Sequence, residues 1–130
     1  MYDLESKETI NVTIPIKLYD IECLLIEAFE QSSTYWIHSI KKPANGKTAV
    51  ENVMSGGSVT IYVLDESNGR KMELNGKTEF TLNPKAIEAG ITVMAEKWPR
   101  HLADILIENP DATTSDVFLQ CALFQDIIFG

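Results

Sequence analysis

Residues 116–124, Asp-Val-Phe-Leu-Gln-Cys-Ala-Leu-Phe, constrain the fold more than any other stretch. Val117, Phe118, Cys121, Ala122 and Phe124 form one helical face, and Leu119 and Leu123 carry apolar surface round to the other side. A helix of this kind has to be buried on every side. Ser115 is placed to cap its start. The residues that follow, Asp126-Ile127-Ile128-Phe129-Gly130, are β-branched and aromatic and read as a short strand. In a chain of 130 residues one core can hardly cover such a helix. Either the last strand folds back over it or a second copy of the chain does, so an ordered C-terminal segment and a homodimer are expected.

Upstream, the hydrophobic period changes several times. Residues 8–16 alternate Ile10, Val12, Ile14 and Ile16 with polar neighbours, the pattern of a half-buried strand, and Pro15 assigns its end to a sheet edge. Ile21, Leu24, Leu25, Ala28 and Phe29 then share one helix face, with Asp20 as cap and Ser32-Ser33 as the break. Residues 34–40 alternate again, Tyr35, Ile37 and Ser39 against Trp36, His38 and Ile40. Pro43, Asn45 and Gly46 make a loop that exposes Lys41, Lys42 and Lys47. Residues 48–57 hold a single helical turn closed by Gly56-Gly57.

Residues 58–65 are the clearest strand. Asn68-Gly69 predicts a hairpin, and Asn75-Gly76 predicts another turn before 77–82, which together give a three-strand meander. Asn83-Pro84 starts a helix over 84–97 with Ile87, Ile91, Met94, Ala95 and Trp98 on one stripe. Gly90 costs that helix about 1 kcal/mol relative to Ala, and its place there marks a close approach of another element. Pro99 opens a further helix, with Leu102, Ile105 and Leu106 inward, that ends by Asn109-Pro110. Strands first and helices later predict a single α+β domain over 1–130. It has an antiparallel sheet of four to five strands packed with an N-terminal helix and two to three C-terminal helices.

Charge and cysteine usage narrow the function by exclusion. A net charge of −8, from 19 acids and 11 bases, argues against direct nucleic-acid binding and against docking on an anionic membrane. No run of about 18 apolar residues is present to span a bilayer. The opening, MYDLESKETI, lacks the basic and apolar regions of a signal peptide, so an intracellular protein is expected. Cys23 and Cys121 sit in apolar helical patterns and read as small buried hydrophobes. With His38 and His101 they offer no metal-ligand spacing, so neither a metal nor another cofactor is expected. Cys121, His101 and Asp104 could be written as a triad, but a thiol on an apolar helix is inert. A glycine-framed serine, a phosphate loop and a nucleotide fingerprint are all missing, and the reading is a protein without enzymatic activity.

Two candidate binding surfaces remain. One is aromatic: Tyr35, Trp36 and His38 on one strand, and Trp98, Arg100 and His101 around Pro99. Aromatic rings with one of only two arginines can stack a ligand or anchor a partner. The other is acidic. Glu22, Glu27 and Glu30 on the first helix, and Asp104, Glu108 and Asp111 after His101, suit a basic partner.

Four segments together resemble a group of small proteins of tailed bacteriophages and prophages. They are TYWIH (34–38), MAEKWP (94–99), DVFLQCALF (116–124) and the closing DIIFG. The resemblance covers most of the chain, least so the first ten residues and the loop at 41–57. Gln125 departs from the pattern, which has a glycine after Phe124, the natural residue for a turn out of a helix. The group carries no established activity and no catalytic residues to transfer. The resemblance implies a small accessory protein that works by binding, in the cytoplasm of an infected bacterial host. One reading is an anti-defence protein that inhibits a host immune effector such as a CRISPR complex, or sequesters a nucleotide signal. The alternative is a phage structural or assembly module acting as a homo-oligomer.

Overall fold

A computed structural model describes residues 5–6 and 8–130. The last helix, α5 (Ala112–Phe124), lies at the centre. Thr114, Ser115 and each residue from Val117 to Ala122 are buried. Cover comes from α3 (Pro84–Lys97), α4 (Pro99–Leu106), α1 (Leu18–Glu27) and the sheet, all within one chain. The apolar helix therefore needs no second copy, and the physical ground for a dimer at this end of the molecule disappears.

Helix α5 begins earlier than its sequence suggests. Asp111 is the cap: its Oδ1 accepts the Thr114 N–H at 2.8 Å, and Thr114 Oγ1 accepts the Asp111 N–H at 3.4 Å. Ser115 sits inside the first turn, with its hydroxyl bonded back to the Ala112 carbonyl at 3.0 Å. At the other end Gln125 takes the left-handed conformation (φ 57°) and donates its N–H to the Cys121 carbonyl. The turn out of the helix thus keeps a glycine-like shape without the glycine.

Helix α3 follows its sequence closely. Asn83 Oδ1 accepts the Ala86 N–H at 2.8 Å and Pro84 occupies the first turn. Ile87, Gly90 and Met94 face inward, while Ala95 is exposed. A Cβ on Gly90 would stand 2.6 Å from the Cα and N of Ala122, so the α3 and α5 backbones touch there. In α4 Ile105 is buried, while Leu106 turns outward.

Helix α1 has no side-chain cap; Lys17 precedes it and Asp20 lies in its first turn. Ser32 and Ser33 do not simply stop it. The helix widens into a π turn over Ala28–Ser32, closed by the Ser33 N–H on the Ala28 carbonyl at 3.0 Å. The wider turn carries both serines onto α5. A short helix, α2 (Ala49–Met54), is capped by Thr48 and Glu51 in a reciprocal box.

The sheet has four antiparallel strands: β1 (Ile37–Ile40), β2 (Val59–Asp65), β3 (Arg70–Lys71) and β4 (Phe80–Leu82). Ile61 of β2 pairs with Ile40 on one side and Phe80 on the other. Further along, Leu64 and Asp65 pair with Lys71 and Arg70. The central strand thus has β1 on one edge and β4 followed by β3 on the other, rather than a sequential meander. One extra residue, His38, interrupts the β1 register between the Ile37–Val63 and Ser39–Tyr62 pairs.

Two expected strands are absent. Residues 9–17 have no helix or strand assignment, and Ile10, Val12 and Ile14 are exposed. Alternation specifies a face but supplies no edge to pair with. Residues 127–130 fold back without pairing to the sheet, because side chains hold them. Cys121 is buried as expected, whereas Cys23 is exposed. Among the described residues, no helix is long and apolar enough to cross a membrane.

Candidate functional site

Asp116 organises the junction between the π turn, β1 and α5. One carboxylate oxygen accepts the Ser33 hydroxyl at 2.8 Å and the Trp36 indole N–H at 2.7 Å. The other accepts the Tyr35 hydroxyl at 2.6 Å and the Gln120 amide at 3.2 Å. A Ser32–Ser115 hydroxyl pair at 2.8 Å lies alongside. A carboxyl group that takes four hydrogen bonds from three elements serves as a fixed anchor. Burial, and next the hydrogen bond to Asp116, push the Tyr35 hydroxyl up to about 12. At neutral pH that hydroxyl keeps its proton and acts as a strut.

Gln120, fully buried on the same helix one turn on, holds the end of the chain. Its Oε1 accepts the N–H groups of Ile128 and Phe129, both at 2.9 Å, and its Nε2 donates to the Phe129 carbonyl at 3.2 Å. Phe129 is thereby laid on Trp36, rings 5.4 Å apart and nearly parallel, and Phe124 meets both rings edge-on. Among the described residues every buried side-chain nitrogen and oxygen has a hydrogen-bond partner.

These contacts wall an open cleft of about 360 Å³. Tyr35, Trp36, Met72 and Phe129 give its apolar sides, while Asp65, Glu66 and Ser67 give a polar rim. Ser67 donates its hydroxyl and N–H to Asp65 and holds that carboxyl below its ordinary value. Among the described residues, no Lys or Arg side chain lines the cleft. An aromatic wall beside carboxylates suits a guanidinium or ammonium group.

The other expected residues fall elsewhere. His38, displaced by the bulge, is exposed and shares a hydrogen bond with Ser39 Oγ at 2.7 Å. Trp98 packs half-buried on the core between α3 and α4, Arg100 is exposed on α4, and neither lines the cleft of Tyr35 and Trp36. His101 reaches Thr114 Oγ1 at 3.5 Å. Thr114 lies 3.5 Å from Asp104 and 3.0 Å from Asp111, whose carboxyl is held low chiefly by the Thr114 backbone N–H.

The six acids are spread over several places. Glu22 and Glu30 border a groove shared with Lys41, Lys42 and Lys47. Glu27 and Asp111 meet across a shallow depression beside Cys23. Glu108 is paired with Lys17. The Cys121 thiol is pushed up to about 12 by burial. Among the described residues, no group of three or more His, Cys, Asp or Glu side chains is placed to hold a metal ion.

Sequence reasoning picked out Tyr35 and Trp36 but passed over Asp116, Gln120, Asp65 and Glu66. The overlooked signal is Asp116 and Gln120, four residues apart in a stretch, 116–124, that is otherwise apolar. Polar groups so placed must find partners. No protein-family model, curated protein or solved structure matches this chain.

Proposed function

We propose that this chain is a non-enzymatic binding protein of a tailed bacteriophage or prophage. It acts in the cytoplasm of the infected bacterium as an anti-defence inhibitor, by taking a basic side chain of a host immune effector into the cleft of Tyr35, Asp65 and Glu66. The observation that carries this reading is the lining: an aromatic wall with two carboxylates and, among the described residues, no basic side chain. The net charge of −8 adds a field that draws a basic, nucleic-acid-binding target and competes for its groove. A nucleotide-sequestering version has less support, since neither Arg70 nor Arg100 lines the cleft. An assembly module remains the second reading, favoured by the exposed apolar run from Ile10 to Tyr19.

Tagged protein is used to capture partners from host lysate at low and high salt, with Glu66→Lys in parallel. The wild type should retain one stoichiometric basic protein that high salt releases, and Glu66→Lys should retain roughly tenfold less. A partner held equally by both proteins, no partner at all, or a co-eluting nucleotide would each defeat the cleft reading.

A further inference from the structure

Residues 8–16 have the sequence of a strand and no strand beside them. Ile10, Val12 and Ile14 are 56%, 73% and 51% exposed, and Leu18 and Tyr19 just beyond are each 72% exposed. Apolar side chains clustered in this way mark a contact surface. Their alternation marks it as one that pairs along its backbone.

The order of the residues says which partner fits. Read outward from Val12, the segment gives Asn11 and Thr13, then Ile10 and Ile14, then Thr9 and Pro15. It is close to symmetrical. Two copies running antiparallel about a two-fold axis at Val12 set Val12 against itself, Ile10 against Ile14 and Asn11 against Thr13. Isoleucine and valine then share one face, and amides and hydroxyls the other. Residues 9–16 carry no charge, so no like charges oppose one another.

Pro15 selects the register. Hydrogen-bonded and non-hydrogen-bonded pairs alternate along an antiparallel ladder. With Val12 in a hydrogen-bonded pair, Ile10 and Ile14 also turn N–H and C=O toward the mate. Pro15, opposite Thr9, then falls where a backbone N–H would point outward, so its missing donor costs nothing.

A bare two-stranded ribbon is marginal in water and needs a surface beneath it. Ile14 and Ile16 border a cleft of about 570 Å³ whose floor includes Ile21, Met54, Ile87 and Ile91. In the paired register Ile10 of one copy lies beside Ile14 of the other, and hence over the other copy's cleft. We infer that residues 8–16 form a symmetrical antiparallel β pair with a second copy of this chain, centred on Val12 and laid across the α1–α2–α3 clefts of both molecules. The pairing does not rest on the Tyr35 cleft and needs no host protein, so either reading can fail without the other.

Sedimentation of the purified chain tests it. The wild type should be a dimer. Val12→Lys, which brings two ammonium groups together at the axis, should raise the dissociation constant about a hundredfold and leave the helical circular dichroism and the Tm of the single fold unchanged. In a Cys23→Ser background, Val12→Cys should form a disulfide-linked dimer far faster than Ala44→Cys, placed in an exposed loop. A monomeric wild type, a dimer indifferent to Val12→Lys, or equal cross-linking of the two cysteine variants would overturn the inference.

Discussion

Gln120 is the side chain through which the end of the chain is tied to the core. It receives two backbone N–H groups and returns one N–H to a carbonyl, with all three contacts on Ile128 and Phe129. Leu fills similar volume but offers no acceptor. Gln120→Leu should cost about 2–3 kcal/mol, because the two amides lose their partner. Calorimetry reads the loss, and Trp36 emission should shift red as Phe129 leaves its ring; an unchanged Tm would show that the aromatic stack alone holds the segment.

Tyr35 gives a pH-dependent prediction. Its folded-state value near 12 lies above the ordinary 10.0, so the native protein holds the proton more tightly than the unfolded chain. The associated stability is whole below pH 10 and fades as the pH climbs toward 12. Tyr35→Phe has no proton to lose. The Tm gap between the wild type and Tyr35→Phe should therefore narrow through that window, and a constant gap would count against burial and Asp116 as the cause.

At the scale of elements, α3 against α5 is the tightest contact. Ala is the better helix former by about 1 kcal/mol, so an isolated α3 would gain from Gly90→Ala. The packed molecule has no room, since the new methyl would press on the Ala122 backbone 2.6 Å away. Overpacking costs about 1–3 kcal/mol and more against backbone, so the net effect should be a loss of stability in urea titration. A gain would mean the two helices part readily. Asn83→Ala removes the cap of the same helix and should cost about 1 kcal/mol.

Helix α3 was also the most legible element, for a local reason: Asn83, Pro84 and the spacing of Ile87 and Met94 act within one helix. Strand β2 and the Asn68-Gly69 hairpin are equally local. Residues 8–16 and 126–130 read as strands yet pair with nothing in the sheet of their own chain, because a strand depends on a neighbour that its own residues do not supply. Alternation alone puts His38 on the face of Trp36, and the bulge that moves it depends on register with β2. The candidate site was half legible in the same sense. Aromatic type singled out Tyr35 and Trp36, while Asp116 and Gln120 act only once the π turn and the chain end have been brought to α5.

For the whole molecule, the consequence of this architecture is that its last residues complete a core they barely enter. Phe129 is half-buried, yet it covers Trp36, which is 1% exposed and among the largest buried side chains. Remove residues 126–130 and the indole loses its stacked partner. Gln120, fully buried in the intact protein, loses both donors to its Oε1. Lost aromatic burial and an orphaned amide add to about 4 kcal/mol or more. For a domain of this size that is a fall of roughly 10–25 °C in Tm, a large part of the stability such a chain has. A chain ending at Gln125 should therefore melt far lower than the full protein, or not fold. A truncated protein with an unaltered Tm would show that Phe124 shields Trp36 without Phe129, and that the returning segment contributes only to the cleft it lines.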